Sequence, residues 1–375
     1  MVDCIIVGSG PAGSAAAYHL AKRGHSVLVL EKESLPRYKA CAGGVSPAVA
    51  DWFDFDFSPV INAKVSQVNY TWQMGDPMAV ELTTQPMWMV QRDTFDNFLL
   101  EKAKAAGAQV QDSTAVTALK FNNGAWQVTT NNGNFEGRYL IAADGATGPC
   151  AKLLGFKEIK PYTAGVLEID SPPKQSDTAK FDFGTLKNGF IWAFPKGDRI
   201  SIAAGVVGSH KANADELEKQ LKTYASELGF NLANSQYRQQ PMILWSENRT
   251  LHAQNALLAG DAAGVADPLL AEGIRPAMFT GVKAAEAISK ALGGDGSALA
   301  NYTKTIAEGW GNDMVWAQRL AGLFFKFPKI AYKVGVKRPA AAEVMSKILC
   351  GEMRYGEIAD KATKVLKRSF LPGQG

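Results

Sequence analysis

The sequence predicts an α/β fold in which a parallel sheet is interrupted by an inserted antiparallel sheet and followed by a helical C-terminal segment. Three observations predict it. An apolar, β-branched run at residues 3 to 8 opens into a glycine-rich turn and then a small-residue helix. Two more apolar strands, ending at Asp144-Gly145 and Gly260-Asp261, recur far downstream. Between them lie strand-like runs around Val65 to Trp72, Thr163 to Ile169 and Ile200 to Val207, and past residue 300 the pattern becomes helical.

The bulk properties allow such a fold without a staple. A chain of 375 residues with 46 % apolar side chains can bury one large or two medium cores. Cys4, Cys41, Cys150 and Cys350 are scattered without C-x-x-C spacing, so neither a disulfide framework nor a zinc site is expected. None of the four histidines sits in a metal-ligand pair, so no metal is expected and redox chemistry would need an organic cofactor. The net charge of +4 comes with no nucleic-acid-binding module, so no nucleic-acid partner is expected. The N-terminus enters a strand directly, so no signal peptide is expected, and no run of about 18 uncharged apolar residues occurs. The expected location is cytoplasmic, with or without peripheral contact to a membrane.

The first element reads as strand, tight turn, helix. In GSGPAGSAAA, Gly8 permits the turn, Gly10 lets the main chain approach a diphosphate, and Gly13 lets the helix pack on the strand. The helix N-terminus, through Pro11 and Ala12, then faces the anion. A second strand, Ser26 to Leu30, ends in Glu31, 18 positions after Gly13 and placed to accept hydrogen bonds from ribose hydroxyls. Lys32 joins it at the expected dinucleotide site. The unit is a Rossmann-like βαβ.

The segments RYLIAADGATGPCAKLLG (138 to 155) and NALLAGDAAGVADPLLAEGIRPAMFTGVKAAEAI (255 to 288) distinguish among dinucleotides. With the N-terminal unit they resemble the FAD-dependent hydroxylase and reductase superfamily, and more closely its geranylgeranyl reductase family. The resemblance implies FAD as cofactor, Asp261 on its ribityl chain after Gly260, and Pro268 through Gly273 and Ile274 beside the flavin ring. It implies that Asp144 and Gly145 shape the cofactor groove and that Arg92, before an amphipathic helix bearing Phe95, Phe98 and Leu99, reaches the diphosphate. A solvated helix-start arginine is the alternative for Arg92.

Two more segments carry the finer resemblance. CAGGVSP, starting Cys41-Ala42-Gly43, matches the family's cysteine and glycines beside the flavin's reacting face, and FIWAFPKGDRISIAAGV (190 to 206) matches its aromatic-x-Trp-x-Phe-Pro segment. Phe190, Trp192 and Phe194 alternate along a strand and so share a face, which would either line a slot for a long apolar substrate or form sandwich core. Family members commonly have tyrosine at Phe190 and glycine at Ala271, which leaves the substrate open. The implied reaction is hydrogenation of a prenyl double bond, by hydride from flavin N5 plus a proton, with Cys41 and Glu272 as candidate catalytic residues. Cys41 reads equally as packing and Glu272 as an orienting residue.

The rival readings are a flavin monooxygenase or halogenase, and an electron-transfer flavoprotein without a prenyl substrate. Lacking a second G-x-G-x-x-G unit, the chain is expected to take electrons from transient NADPH, ferredoxin or another carrier. RLAGLFFKFPKIAYKVGVKRP (319 to 339) mixes aromatics with basic residues, as either a membrane-surface segment or a helix packed on the cofactor domain would. Lys367 to Gly375 is expected to fray. The expected division is 1–60, 87–160 and 250–300 for the FAD domain, 61–86 and 161–249 for a substrate sheet, and 301–375 for the helical region.

Overall fold

The computed structural model describes residues 1–82, 85–206 and 213–358. Val2–Val7 is the centre of the first sheet, paired in parallel with Val27–Leu30 on one side and Gly133–Ala142 on the other. Gln109–Gln111 and Ala256–Leu258 extend it in parallel at either end. All four residues of Val27–Leu30 are buried, as a parallel strand covered on both faces requires. The strands Val116–Asn122 and Ala125–Thr130 continue from Gly133–Ala142 as an antiparallel extension.

Seven strands form the second sheet, in the order Ser235–Met242, Tyr162–Ile169, Ile200–Val206, Gly189–Pro195, Thr178–Phe183, Gln67–Trp72, Gly75–Glu81. It departs from the antiparallel expectation at one place, where Gln67–Trp72 lies parallel to Thr178–Phe183. More than 100 residues separate these two strands, ample for the crossover that a parallel pair needs. The run expected as one strand over Val65 to Trp72 is also divided. Ala63–Val65 belongs to a three-stranded sheet with Gly44–Val45 and Met87–Met89, and Gln67–Trp72 to the large sheet.

Gly189–Pro195 is buried throughout, with the expected period of two. Phe190, Trp192 and Phe194 face one core with Phe181 and Phe183, while Ile191 and Ala193 face another built with Leu217, Leu221 and Tyr224 of the helix Ala214–Glu227. The sheet is thus covered on both faces.

The C-terminal helices join the two sheets. Tyr302 donates its hydroxyl to the Leu258 carbonyl at 2.7 Å, and Trp310 its indole N–H to the Val265 carbonyl at 2.8 Å, both on the first-sheet side. On the other side Phe324 packs on Phe183 and Phe325 on Phe190, and the Tyr332 hydroxyl donates to the Asp76 carbonyl at 2.6 Å. Among the described residues no helix is long and apolar enough to cross a membrane. The expected frayed tail, Lys367 to Gly375, lies outside the described residues.

Candidate functional site

A cavity of about 560 Å³ opens where the C-terminal ends of the parallel strands meet the second sheet, the place where open α/β sheets bind ligands. One end is built by the N-terminal unit. Gly8, Gly10, Pro11 and Ala12 line it, and so do Glu31 and Lys32. Gly13 does not line it but lies beneath the turn, where a Cβ would stand 1.9 Å from the Gly8 carbonyl oxygen. A Cβ at Gly10 would meet only the Arg37 guanidinium, at 3.6 Å. The first constraint is internal packing, whereas the second glycine leaves room at the cavity.

Glu31 is fixed before any ligand arrives. Its Oε2 accepts from the Ser9 backbone N–H at 2.9 Å and the Ser9 hydroxyl at 2.6 Å, and Arg37 Nε lies 3.4 Å away. Burial pushes the Glu31 carboxyl up, but Arg37 and the Ser9 hydrogen bonds prevail and hold it below the ordinary range. Arg37 also reaches Asp96 Oδ2, at 3.1 Å.

Asp96 in turn binds Arg92 through two hydrogen bonds of 2.8 Å. Arg92 lines the cavity and is buried, so the solvated alternative does not hold; it is also the first residue of the helix Arg92–Ala105 rather than its predecessor. Asp96 was legible as the residue one helical turn after Arg92, and Arg37 and Lys39 as basic residues in the loop before Cys41.

The middle of the cavity carries Asp144, Gly145, Gly260 and Asp261. Asp144 Oδ2 accepts from the Cys150 backbone N–H at 2.8 Å, while its buried Oδ1 has no partner among the described residues. Burial raises the Asp261 carboxyl, and Lys39 and Arg92 oppose that shift. Gly273 and Ile274 line the cavity at the start of the helix Ile274–Leu292, whose N-cap makes no side-chain hydrogen bond. The helix Pro11–Lys22 likewise starts uncapped at Gly10. Two helix N-termini with free N–H groups therefore face one cavity, along with an unpartnered carboxylate oxygen and several cations. This donor set fits a long, polyhydroxylated, anionic dinucleotide such as FAD.

Pro268 is buried outside the cavity wall, in the turn that Asp267 shapes. Asp267 Oδ1 accepts from the backbone N–H groups of Leu269 and Leu270 at 2.7 and 2.9 Å, and its Oδ2 accepts the Tyr355 hydroxyl at 2.7 Å. Tyr355 comes from the far C-terminus, and sequence reading gave no sign of this contact. Glu272 lines the cavity, but both its oxygens are engaged by Arg275, at 2.8 to 3.2 Å.

The other end is apolar. Phe181, Trp192 and Phe194 line it with Met87, beside Cys41, Ala42 and Gly43. Phe190 does not reach the cavity; it is buried among Phe181, Phe183, Trp192 and Phe325. Its strand carries it one step past the opening, under the C-terminal helices. The loop at Cys41 is pinned by groups the sequence did not suggest. Buried Lys196 donates to the Cys41 carbonyl at 2.9 Å and lies 3.3 Å from Glu168, which also accepts from Ser201. The Cys41 thiol accepts from the Gly43 N–H at 3.4 Å, and a Cβ on Gly43 would fall 2.1 Å from the Val90 carbonyl oxygen.

A model described as "FAD binding domain" matches residues 1–307. The chain belongs to the FAD-binding domain family. Among its relatives is an uncharacterized protein of Methanosarcina barkeri, 33 % identical over 77 % of this chain and 75 % of that protein. Another is a digeranylgeranylglycerophospholipid reductase of Methanococcus vannielii, 25 % identical over 77 % of each. The crystal structure of a geranylgeranyl bacteriochlorophyll reductase-like protein from Thermoplasma acidophilum shares the fold, with a TM-score of 0.80 and 21 % identity over 97 % of this chain and 98 % of that one. This FAD-binding protein is an FAD-dependent oxidoreductase.

Proposed function

We propose that this flavoprotein hydrogenates carbon–carbon double bonds of a geranylgeranyl-type prenyl lipid, taking electrons from NADPH, ferredoxin or a similar carrier. The observation that carries the reading is the continuity of one cavity from the Gly8–Gly10 turn to the apolar wall of Phe181, Trp192 and Phe194 beside Cys41. An apolar chain fills such a wall without leaving polar groups unpaired. The name of the Methanococcus relative points the same way.

FAD, when bound and reduced, supplies a hydride from flavin N5. The chain's own groups do the rest. Gly8, Gly10, Pro11 and Ala12, with Arg92, hold the diphosphate, and Glu31 and Lys32 the adenosine side. Asp144, Gly145, Gly260 and Asp261 hold the central chain, and Gly273 and Ile274 present free N–H groups where negative charge collects. Trp192 and Phe194 exclude water and align the alkene. Because Glu272 is held by Arg275, we assign it to positioning and assign Cys41 to holding the proton at the second carbon, with replacement from solvent.

The test is to reduce the holoprotein anaerobically and mix it with geranylgeranyl diphosphate and, separately, with a geranylgeranylated glycerophospholipid. Reoxidation of the flavin with a product heavier by two hydrogens per step is expected. An unchanged mass for both prenyl compounds would overturn the reading.

A further inference from the structure

We infer that the segment 316–334 is a docking surface for an anionic lipid bilayer. The large apolar side chains that the described residues leave exposed gather there. Leu323, Phe327, Ile330 and Val334 are 61, 49, 64 and 51 % exposed, with Trp316 at 36 %; the only others of this kind are Met1 and Tyr38. Four such residues within twelve positions of chain form an apolar patch that water solvates poorly.

The segment is anchored, so these side chains are not waiting for a core. Its inward residues Phe324, Phe325 and Tyr332 already pack against Phe183, Phe190 and Trp72 on the second sheet. Leu323 directly precedes the anchored Phe324-Phe325, and Phe327 follows it after Lys326.

Charge selects the occupant. From residue 314 to residue 342 there are six basic residues, Arg319, Lys326, Lys329, Lys333, Lys337 and Arg338, and no acidic one. Lys337 pairs with Asp76, but Arg319, Lys326, Lys329 and Lys333 pair with no carboxylate among the described residues. Apolar side chains interleaved with lysines suit the boundary between acyl chains and anionic headgroups. A two-fold contact with a second copy would set these lysines against one another, because a symmetric interface meets itself. With no helix able to cross a bilayer among the described residues, the contact is peripheral.

The test uses the FAD-loaded full chain and no substrate, so its outcome is separate from that of the prenyl reading. Sedimentation with phosphatidylcholine vesicles containing phosphatidylglycerol should pellet the protein, and vesicles of phosphatidylcholine alone should pellet far less. At roughly fivefold per basic residue, the triple variant Lys326→Gln, Lys329→Gln, Lys333→Gln should bind about a hundredfold more weakly. The pair Phe327→Ser and Ile330→Ser should lose most binding, and unchanged flavin content in each variant shows that it folds. Wild-type protein left in the supernatant with anionic vesicles overturns the inference, as does undiminished binding by the folded variants. A wild-type dimer that the serine pair turns into monomers overturns it too, in favour of self-association.

Discussion

Lys196 Nζ lies 2.9 Å from the carbonyl oxygen of Cys41, bringing a buried cation of the second sheet onto the loop that edges the cofactor cavity. Glu168, 3.3 Å from the same nitrogen, balances the charge, and Ser201 holds Glu168 in turn. The loop and the sheet therefore keep their relative position as long as this pair is intact.

Replacing Lys196 with methionine keeps much of the stem's volume but strands the Glu168 carboxylate. Breaking one side of a buried pair costs about 3 kcal/mol or more, so the denaturation midpoint should fall. Turnover should fall further than FAD content does, because the loop and not the diphosphate site is released. Denaturant unfolding and flavin absorbance measured on the same sample check this.

Asp96 sets an acid limit. Burial works to raise its carboxyl, yet Arg92 and then Arg37 overcome it and hold the group below the ordinary range. A depressed carboxyl contributes its stability in full above its unfolded value, near pH 4, and loses it as pH falls through the lower folded value. Asp96→Asn should be about 3 kcal/mol less stable at pH 7. The gap to wild type should close as the pH drops below about 4, measured by urea unfolding across that range.

The two inner glycines of the N-terminal turn should fail differently. Gly13→Ala drives a methyl into the Gly8 carbonyl and should reduce folded yield, with or without FAD. Gly10→Ala meets nothing nearer than Arg37 at 3.6 Å, so it should fold normally and weaken FAD by about tenfold, the methyl occupying space meant for the diphosphate. Circular dichroism and a flavin titration separate the outcomes.

Ala271 has φ +55°, the left-handed region where an alanine is strained. Ala271→Gly should raise stability by about 1 kcal/mol, seen as a higher melting temperature. Activity should hold, since the Ala271 N–H to Asp267 carbonyl hydrogen bond that fixes the turn remains.

The sequence by itself determined the parallel core and the dinucleotide turn from Gly8 to Glu31, and its resemblance to a known family implied FAD and the wall residues Arg92 and Asp261. The first are local signals: a strand must be apolar, a tight turn must have glycine, and a diphosphate needs a free helix N-terminus, so each is written in adjacent residues. Trp192 and Phe194 were legible for the same reason, through a period of two. Only the tertiary structure decided that Phe190 is core, that Gln67–Trp72 pairs in parallel, and that Arg37, Lys196, Asp267 and Tyr355 hold the site together. These are charges and hydroxyls paired over long sequence separations, 155 residues between Lys196 and Cys41 and 88 between Tyr355 and Asp267. No periodicity records such a partner, because a buried charge is satisfied by whatever group the folded chain brings beside it.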